Sequence, residues 1–212
     1  MNLYRRLITP TTLAVLDDFY KSRDTTGTTP EDDLDTLTAI LFAANAKRIL
    51  QMGTFLGGSA LVLADIARQN GGADALVVTV DPNAAMNDSC RELAMKAGLE
   101  LTVKTIDGFS TDGDLLRRFS DTEWDVIYLD TTHQYGQTLA EIRALARLCS
   151  DRTLLLFHDA SKFAAETLDT GKQGGVRRAM QEYCLLNAGW QYFVFESAPF
   201  GKYGIGAMQR AK

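Results

Sequence analysis

Five short apolar runs alternate with predicted helices along the middle of the chain, and this alternation most constrains the fold. We predict strands at residues 48–52, 75–80, 101–106, 124–129 and 152–157, and helices between them at 59–69, 86–97, 112–119 and 135–148. Strands that are joined through helices pair in parallel, with the helices covering the faces of the sheet. The pattern therefore predicts an α/β fold with a doubly wound, mostly parallel sheet.

The two ends of the chain depart from this alternation. Helices are predicted at 11–23 and from a start at residues 29–32 onward, and the second carries an apolar stripe at helical spacing from Leu34 to Ala44. Near the C terminus, a helix at 176–186 precedes strand-like runs at 190–196 and 203–209, which predict an antiparallel hairpin joined by residues 197–202. We predict one domain over residues 1–212, with an N-terminal helical extension (1–46) and a core (47–212).

Composition argues against several classes of partner. The net charge is −5 and the pI is about 5.1, which disfavours binding to nucleic acid or to an anionic membrane surface. No run approaches the ~20 apolar residues that cross a bilayer. The three cysteines lack C-x-x-C spacing, which favours reduced thiols over a disulfide framework. We expect a soluble, cytoplasmic protein with neither a nucleic-acid nor a membrane partner.

A glycine-rich turn follows the first predicted strand. Gly53, Gly57 and Gly58 precede a helix that has Ser59 in its first turn. Glycines let the backbone approach a ligand closely, and a helix N-terminus adds unpaired N–H groups and a positive dipole end. Such a turn is equally typical of a tight strand–helix connection. Asp81, which ends the second strand and can accept hydrogen bonds from ribose hydroxyls, favours a nucleotide-like cofactor.

Polar residues follow the other strands as well. In open α/β sheets ligands bind beyond the carboxyl ends of the strands. There the chain has Gln51, the run Asp107 to Ser110, the run Asp130 to His133, and the pair His158 and Asp159. The only two histidines of the chain are among them. We predict a catalytic site here with His133 as general base and Asp130 orienting it or binding a ligand. The alternatives are that His133 caps the following helix and that His158 merely pairs with Asp159.

Several segments together resemble a known family. They are ILQMGTFLGGSAL, VVTVDPN, DVIYLDTTHQYGQTLAEI, LLLFHDAS, GGVRRAM and FGKYGIGAMQ. The sequence is similar to the class I S-adenosylmethionine-dependent methyltransferases, in the small-molecule O-methyltransferase branch that includes macrolide-sugar and cephalosporin-tailoring enzymes. The resemblance implies a Rossmann-like sheet of seven strands with a reversed seventh strand.

The resemblance also implies which residues bind S-adenosylmethionine. The turn from Gly53 to Gly58 is expected to hold the methionine portion, Asp81 the ribose, and the run Asp107 to Ser110 the adenine edge. Relatives usually carry an acidic residue where Gln51 stands, and an amide can hydrogen-bond there but offers no charge. The full predicted set is Gln51, Gly53, Thr54, Gly57, Gly58, Ser59, Asp81, Asp107, Gly108, Phe109, Ser110 and Asp130.

Metal-dependent relatives hold Mg²⁺ with carboxylates after the fourth and fifth strands. In this sequence those positions are Asp130, His158 and Asp159, which we predict as ligands of Mg²⁺ or Mn²⁺. Hard cations prefer oxygen ligands, so an imidazole in the set favours Mn²⁺, Fe²⁺ or Zn²⁺, or the absence of a metal.

The resemblance implies transfer of a methyl group to a hydroxyl of a small-molecule acceptor. It also implies a homo-oligomer, most simply a dimer formed through residues 3–16 or 34–44. Two other functions stay open at this point. One is a catalytically inactive, methyltransferase-like module that only binds the cofactor. The other is a nicotinamide-dependent oxidoreductase, which is disfavoured because the sequence has neither G-x-G-x-x-G nor Y-x-x-x-K.

Overall fold

The computed structural model describes residues 2–22, 24, 26–196 and 203–211. The chain comprises two compact units, residues 1–109 and 110–212. Each unit has its own strands and its own helices. The boundaries proposed above for one domain with an N-terminal extension stay a prediction.

The first unit holds three parallel strands in the order β3-β2-β1. Its core includes fully buried Ile49, Leu50 and Met52 of β1. Each of the three strands begins and ends within two residues of its predicted bounds. The sequence could predict them because strands and helices repeat their apolar residues with different periods. The elements are α1 (Tyr4–Leu7), α2 (Pro10–Ser22), α3 (Glu31–Ala43), β1 (Arg48–Met52), α4 (Gly58–Gly71), β2 (Leu76–Asp81), α5 (Ala84–Ala97) and β3 (Val103–Asp107).

Several leucines of the two segments that were predicted to form a dimer contact are buried within the chain. Leu34, Leu37 and Leu41 of α3 are fully buried, as is Leu16 of α2. These leucines therefore pack in the core of the first unit, and a dimer contact through residues 3–16 or 34–44 stays a prediction.

The buried carboxylate of Asp65 on α4 hydrogen-bonds to the first residues of α2 and so joins the two helices. Asp65 accepts hydrogen bonds from the backbone N–H of Thr9 at 3.0 Å and from the Thr12 hydroxyl at 2.6 Å. The Thr9 hydroxyl and the Gln69 amide also donate to it. With four donors the Asp65 carboxylate is hydrogen-bonded despite being only 2% exposed, as a buried charge must be.

The second unit holds four strands in the order β4-β5-β7-β6. β4 and β5 are parallel, whereas β7 runs antiparallel to both β5 and β6. The predicted antiparallel pairing at the C terminus is thus confirmed, while its connection at 197–202 and the predicted helix end at Arg23 lie outside the described residues. The elements are α6 (Gly113–Phe119), β4 (Val126–Leu129), α7 (Tyr135–Leu145), β5 (Leu154–Phe157), α8 (Lys162–Thr167), α9 (Gly175–Leu186), β6 (Trp190–Phe195) and β7 (Ile205–Arg210).

Two short helices, α1 and α8, are absent from the predicted pattern. They have four and six residues, which is too short for a helical period to be visible in a sequence. Ser161 caps α8 by accepting the backbone N–H of Ala164 at 2.9 Å. Across the described residues, no helix is long and apolar enough to span a membrane.

Candidate functional site

The glycine turn (residues 53–59) connects β1 to α4 within the first unit. Gly53 and Gly57 both have φ +92°, a left-handed conformation that favours glycine. A Cβ on Gly57 would lie 2.7 Å from the Cα of Cys90 on α5, so no other residue fits without displacing that helix. The backbone N–H of Gly53 donates to the carbonyl of Val80 at 2.9 Å. The turn is therefore tight and fixed to the end of β2.

The side chain of Gln51 on β1 hydrogen-bonds to both ends of the glycine turn. Its Nε2 donates to the carbonyl of Gly53 at 2.7 Å and to the hydroxyl of Ser59 at 3.0 Å. The side chain is 1% exposed, and its Oε1 has no hydrogen-bond partner among the described residues. A buried acceptor without a donor costs ~1 to 3 kcal/mol. The position is thus suited to a ligand that brings an N–H donor.

Asp81 braces the same turn from β2. Its Oδ2 accepts the backbone N–H groups of Thr54 at 3.0 Å and Phe55 at 3.1 Å, and its Oδ1 accepts that of Asn83 at 2.9 Å. A carboxylate has about four acceptor sites. The half-buried Asp81 therefore keeps capacity for one further donor while shaping the turn.

Asn87 of α5 is a site residue that sequence reasoning missed. Its side chain is fully buried, and its Nδ2 donates to the carbonyls of Asp81 and Ile106 and to the carboxylate of Asp107. Its Oδ1 accepts the hydroxyl of Thr54 at 3.0 Å. One amide thus ties the turn to the ends of β2 and β3. A lone asparagine in a helical pattern gives no signal of this role.

The segment after β3 supplies the remaining predicted residues of the first unit. Gly108 donates its backbone N–H to the carbonyl of Asp81 at 3.2 Å. Asp107 is exposed apart from its bond to Asn87, and the ring of Phe109 is 67% exposed. These groups are accessible to a ligand and are held in register by the pairing of Asp81 with Asp107.

Two histidines and two aspartates form a hydrogen-bonded cluster in the second unit. Asp159 Oδ2 contacts Nδ1 of His133 at 2.7 Å and Nδ1 of His158 at 3.0 Å. The same Nδ1 of His158 lies 3.2 Å from Oδ1 of Asp130. Asp159 is therefore a carboxylate that contacts His133, and the role predicted for Asp130 in orienting His133 stays a prediction. We call Asp130, His133, His158 and Asp159 the histidine–aspartate cluster.

Burial and charge act against each other in this cluster. Burial opposes a charge on His158, but the attraction of Asp130 and the hydrogen bonds to both carboxylates outweigh it and raise the pKa of His158 well above its ordinary value. Burial likewise favours a neutral Asp159, yet hydrogen bonds from His133 and His158 hold the pKa of Asp159 below its usual range. The cluster therefore favours an ionised carboxylate between two imidazoles.

The backbone of the cluster is strained at two positions. His133 has φ +59° and Asp159 has φ +58°. Left-handed conformations of residues other than glycine cost of the order of 1 kcal/mol or more and concentrate at functional sites. Both residues adopt them where their side chains meet.

Three members of the cluster have the spacing of a metal site. Asp130, His133 and Asp159 each offer one ligand atom, and these atoms lie within 4.8 Å of one another. This set contains His133, whereas we predicted His158. Oδ1 of Asp159 is buried without a hydrogen-bond partner among the described residues. The donor set of two carboxylates and one imidazole fits Mn²⁺, Fe²⁺ or Zn²⁺ better than Mg²⁺.

Glu141 of α7 is a second residue that the sequence pattern did not reveal. It is fully buried and accepts hydrogen bonds from the hydroxyls of Ser110 and Thr131 and from the amide of Gln137. Burial raises the pKa of Glu141, and these hydrogen bonds oppose the rise. One carboxylate thus anchors predicted site residue Ser110 and the neighbour of Asp130.

A groove of the second unit lies away from these residues. A cavity of about 620 Å³ lies between α6 and α7, and Arg117, Arg143 and Arg147 are among its lining residues. None of the predicted site residues lines it. The candidate functional groups are thus the glycine turn in the first unit and, separately, the histidine–aspartate cluster in the second unit.

Comparison with known proteins identifies the family. A model of the methyltransferase domain family matches residues 50–160, more than half of the chain. The chain belongs to this methyltransferase family. The matched range includes the glycine turn and the complete histidine–aspartate cluster. The predictions of a methyltransferase family and of an enzyme are thereby confirmed. No curated protein matches the sequence.

Solved structures share the fold at low sequence identity. The O-methyltransferase from Bacillus cereus in complex with SAH has a TM-score of 0.76 and 17% identity, covering 97% of this chain and 94% of that chain. The SAH-bound methyltransferase PaMTH1 from Podospora anserina has a TM-score of 0.75 and 16% identity, covering 99% and 92%. The O-methyltransferase TomG from Streptomyces achromogenes, in complex with SAM, has a TM-score of 0.75 and 17% identity, covering 97% and 92%. The predicted seven-stranded, Rossmann-like α/β fold is confirmed.

Proposed function

We propose that this protein transfers a methyl group from S-adenosylmethionine to a hydroxyl of a small-molecule acceptor. The observation that carries the proposal is the contact between His133 and Asp159 in a chain of the methyltransferase family. A hydroxyl must lose a proton when it is methylated, so an O-methyltransferase needs a base or a cation that acidifies the hydroxyl. The histidine–aspartate cluster offers a candidate base, His133, and side chains that could bind a cation.

The first unit suits the proposed cofactor. S-adenosylmethionine supplies a methyl group already activated on a sulfonium. The unpartnered Oε1 of Gln51 would accept from the cationic amino group of the methionine portion, beside the backbone of Gly53, Thr54, Gly57, Gly58 and Ser59. Asp81 would accept from ribose hydroxyls, and Asp107, Gly108, Phe109 and Ser110 would contact the adenine. Asp130 completes the proposed set. The relatives from Bacillus cereus and Streptomyces achromogenes, which were solved with SAH and SAM, support this choice of cofactor.

His133 is the proposed general base. An ionised Asp159 can only accept, so the hydrogen of a neutral His133 ring lies on Nδ1 and the lone pair on Nε2. Nε2 is then the atom that takes the proton from the acceptor hydroxyl. Asp159 orients the ring and stabilises the imidazolium that forms, and Asp130 does the same for His158.

A divalent cation is the second way to activate the hydroxyl. Asp130 and Asp159 would hold it with one histidine, and bound Mn²⁺ or Mg²⁺ would lower the pKa of a coordinated hydroxyl. The His133 ring has a single free nitrogen, so His133 cannot be both metal ligand and base in one step. Titration with Mn²⁺ alone, monitored by calorimetry, separates the two cases. Saturable binding that is lost in Asp159→Asn and kept in the exposed control Asp121→Asn supports the metal site, and no heat in the wild type contradicts it.

The proposed function is tested with S-adenosylmethionine and a panel of phenols, catechols and sugars. We expect release of S-adenosylhomocysteine together with an O-methylated product detected by mass spectrometry. Binding of the cofactor with no product from any hydroxylated acceptor would favour the inactive binding module. Saturable binding of NADH without a response to either adenosyl compound would favour the oxidoreductase.

A further inference from the structure

Gln134 connects two loops of the second unit through its side chain. It directly precedes α7 but does not cap that helix. Instead, Nε2 donates to the carbonyl of Leu168 at 2.9 Å and to that of Thr132 at 3.1 Å. Oε1 accepts from the backbone N–H of Thr170 at 3.0 Å and from its hydroxyl at 2.8 Å. Both donors and both acceptor positions of the amide are therefore used.

The segment that Gln134 hydrogen-bonds to, residues 168–175, is fixed by further hydrogen bonds to Asp169. Asp169 is 3% exposed, and its carboxylate accepts the backbone N–H groups of Gly171 at 3.2 Å, Gln173 at 2.8 Å and Gly175 at 2.9 Å. Gly175 has φ +54°, and a Cβ on it would lie 3.2 Å from the carbonyl oxygen of His133. Residues 168–175 thus form a fixed support that packs on the backbone of His133.

This support explains how His133 keeps an unfavourable backbone conformation. A left-handed histidine persists only where its surroundings over-determine it. Here the amide of Gln134 fixes the carbonyl of Thr132 on one side of His133, while Gly175 leaves room for the carbonyl of His133 itself. We infer that Gln134 is a positioning residue, which holds His133 left-handed and thereby keeps its imidazole on Asp159. The inference rests on the proposed function only where it concerns catalysis.

The imidazole signals of ¹⁵N-histidine-labelled protein test the inference without an acceptor substrate. The chain has two histidines, so a His133→Gln variant assigns both rings. In the wild type, we expect His133 to give one signal set with Nδ1 protonated. In Gln134→Ala, we expect that set to move toward the mixed tautomers of a free imidazole, with the signals of His158 retained. The exposed Gln181→Ala is the matched control and should leave both rings unchanged.

Two further variants keep the test decisive if Gln134→Ala does not fold. Thr170 is exposed, and Thr170→Val removes one hydroxyl bond to Gln134, so a smaller shift in the same direction is expected. Gly175→Ala places a methyl group against the carbonyl of His133 and should shift the His133 signals without touching Gln134. Unchanged His133 signals in the folded variants would overturn the inference.

Kinetics separate a positioning role from a general loss of structure. With the acceptor that the wild type methylates, Gln134→Ala should lower kcat about 10-fold and change KM for S-adenosylmethionine by less than about 2-fold. An equal loss in both parameters, or none, would contradict the positioning role. If the wild type methylates nothing, the proposed function fails, while the imidazole spectra still decide whether Gln134 positions His133.

Discussion

At the scale of single residues, the candidate chemistry depends on the one free nitrogen of His133. Its Nδ1 contacts Asp159, whereas the ring of His158 is nearly buried and bonded to two carboxylates. The two imidazoles are thus unequal: 27% of the His133 side chain is exposed, compared with 6% for His158. Only His133 combines a fixed ring with access for an acceptor.

We expect His133→Gln to lower kcat by ~10²- to 10⁴-fold, because the lost group acts in proton transfer. The dissociation constant for S-adenosylmethionine should stay nearly constant, which calorimetry checks. His158→Gln is the comparison variant and should alter Mn²⁺ binding or the stability of the cluster more than proton transfer. Turnover close to wild type in His133→Gln would assign the activation of the hydroxyl to a cation held by Asp130 and Asp159.

Asp81 acts on the cofactor directly and through the shape of the glycine turn. Replacement by alanine should reduce the affinity for S-adenosylmethionine by ~1.5 to 3 kcal/mol, because ribose hydroxyls lose a charged acceptor. Two backbone N–H groups of the turn lose their acceptor in the same variant. Asp81→Asn keeps one acceptor oxygen and should fall between the two proteins in a calorimetric titration. An unchanged dissociation constant in Asp81→Ala would remove Asp81 from the cofactor site.

At the scale of helices and strands, periodicity and turn chemistry accounted for most of the architecture. Runs of Ile, Leu and Val marked the strands β1 to β5, and the positions of their ends selected the polar residues of the candidate site. Residues that act by tertiary contact stayed hidden, because Asn87, Glu141 and Gln134 are ordinary polar residues within or beside helical patterns. Each has at least one hydrogen-bond partner between 31 and 36 residues away in sequence, a separation that no local pattern encodes.

Glu141 of α7 is expected to make the free energy of unfolding depend on pH. Burial raises its pKa, so the folded state favours the neutral carboxyl. That contribution to stability is fully present below the unfolded pKa of ~4.3 and is lost as pH rises through the folded value. Glu141→Gln has no carboxyl to ionise, so the free energy of unfolding of the variant minus that of the wild type should increase as pH rises from ~4.3 through the raised pKa of Glu141. Urea titrations at several pH values measure it.

The control for Glu141 is a glutamate on the surface of the same unit. Glu166 of α8 is largely exposed, and Glu166→Gln should give a difference from wild type that is nearly independent of pH. A flat difference for Glu141→Gln as well would mean that this carboxyl titrates normally in the folded protein.

At the scale of the whole molecule, binding of a cofactor should raise thermal stability. S-adenosylmethionine at about 100 times its dissociation constant adds ~2.7 kcal/mol to the free energy of unfolding, which for a chain of this size corresponds to roughly 5 to 10 °C in Tm. NADH at the same concentration should leave Tm unchanged. A scanning fluorimetry experiment with both compounds compares the two cofactor classes in one measurement, and a rise with NADH alone would reverse our assignment.

The hydrogen bonds of Asp65 with Thr9 and Thr12 join residues that are far apart in sequence, which bears on the order in which the chain folds. The bonded residues are 56 and 53 positions apart, so a long loop must close before these hydrogen bonds form. We therefore expect the segment with α2 to dock late, onto an α4 that has already formed. Native-state amide exchange should show this directly, with the amides of α2 exchanging by partial opening while those of α4 exchange only when the first unit unfolds.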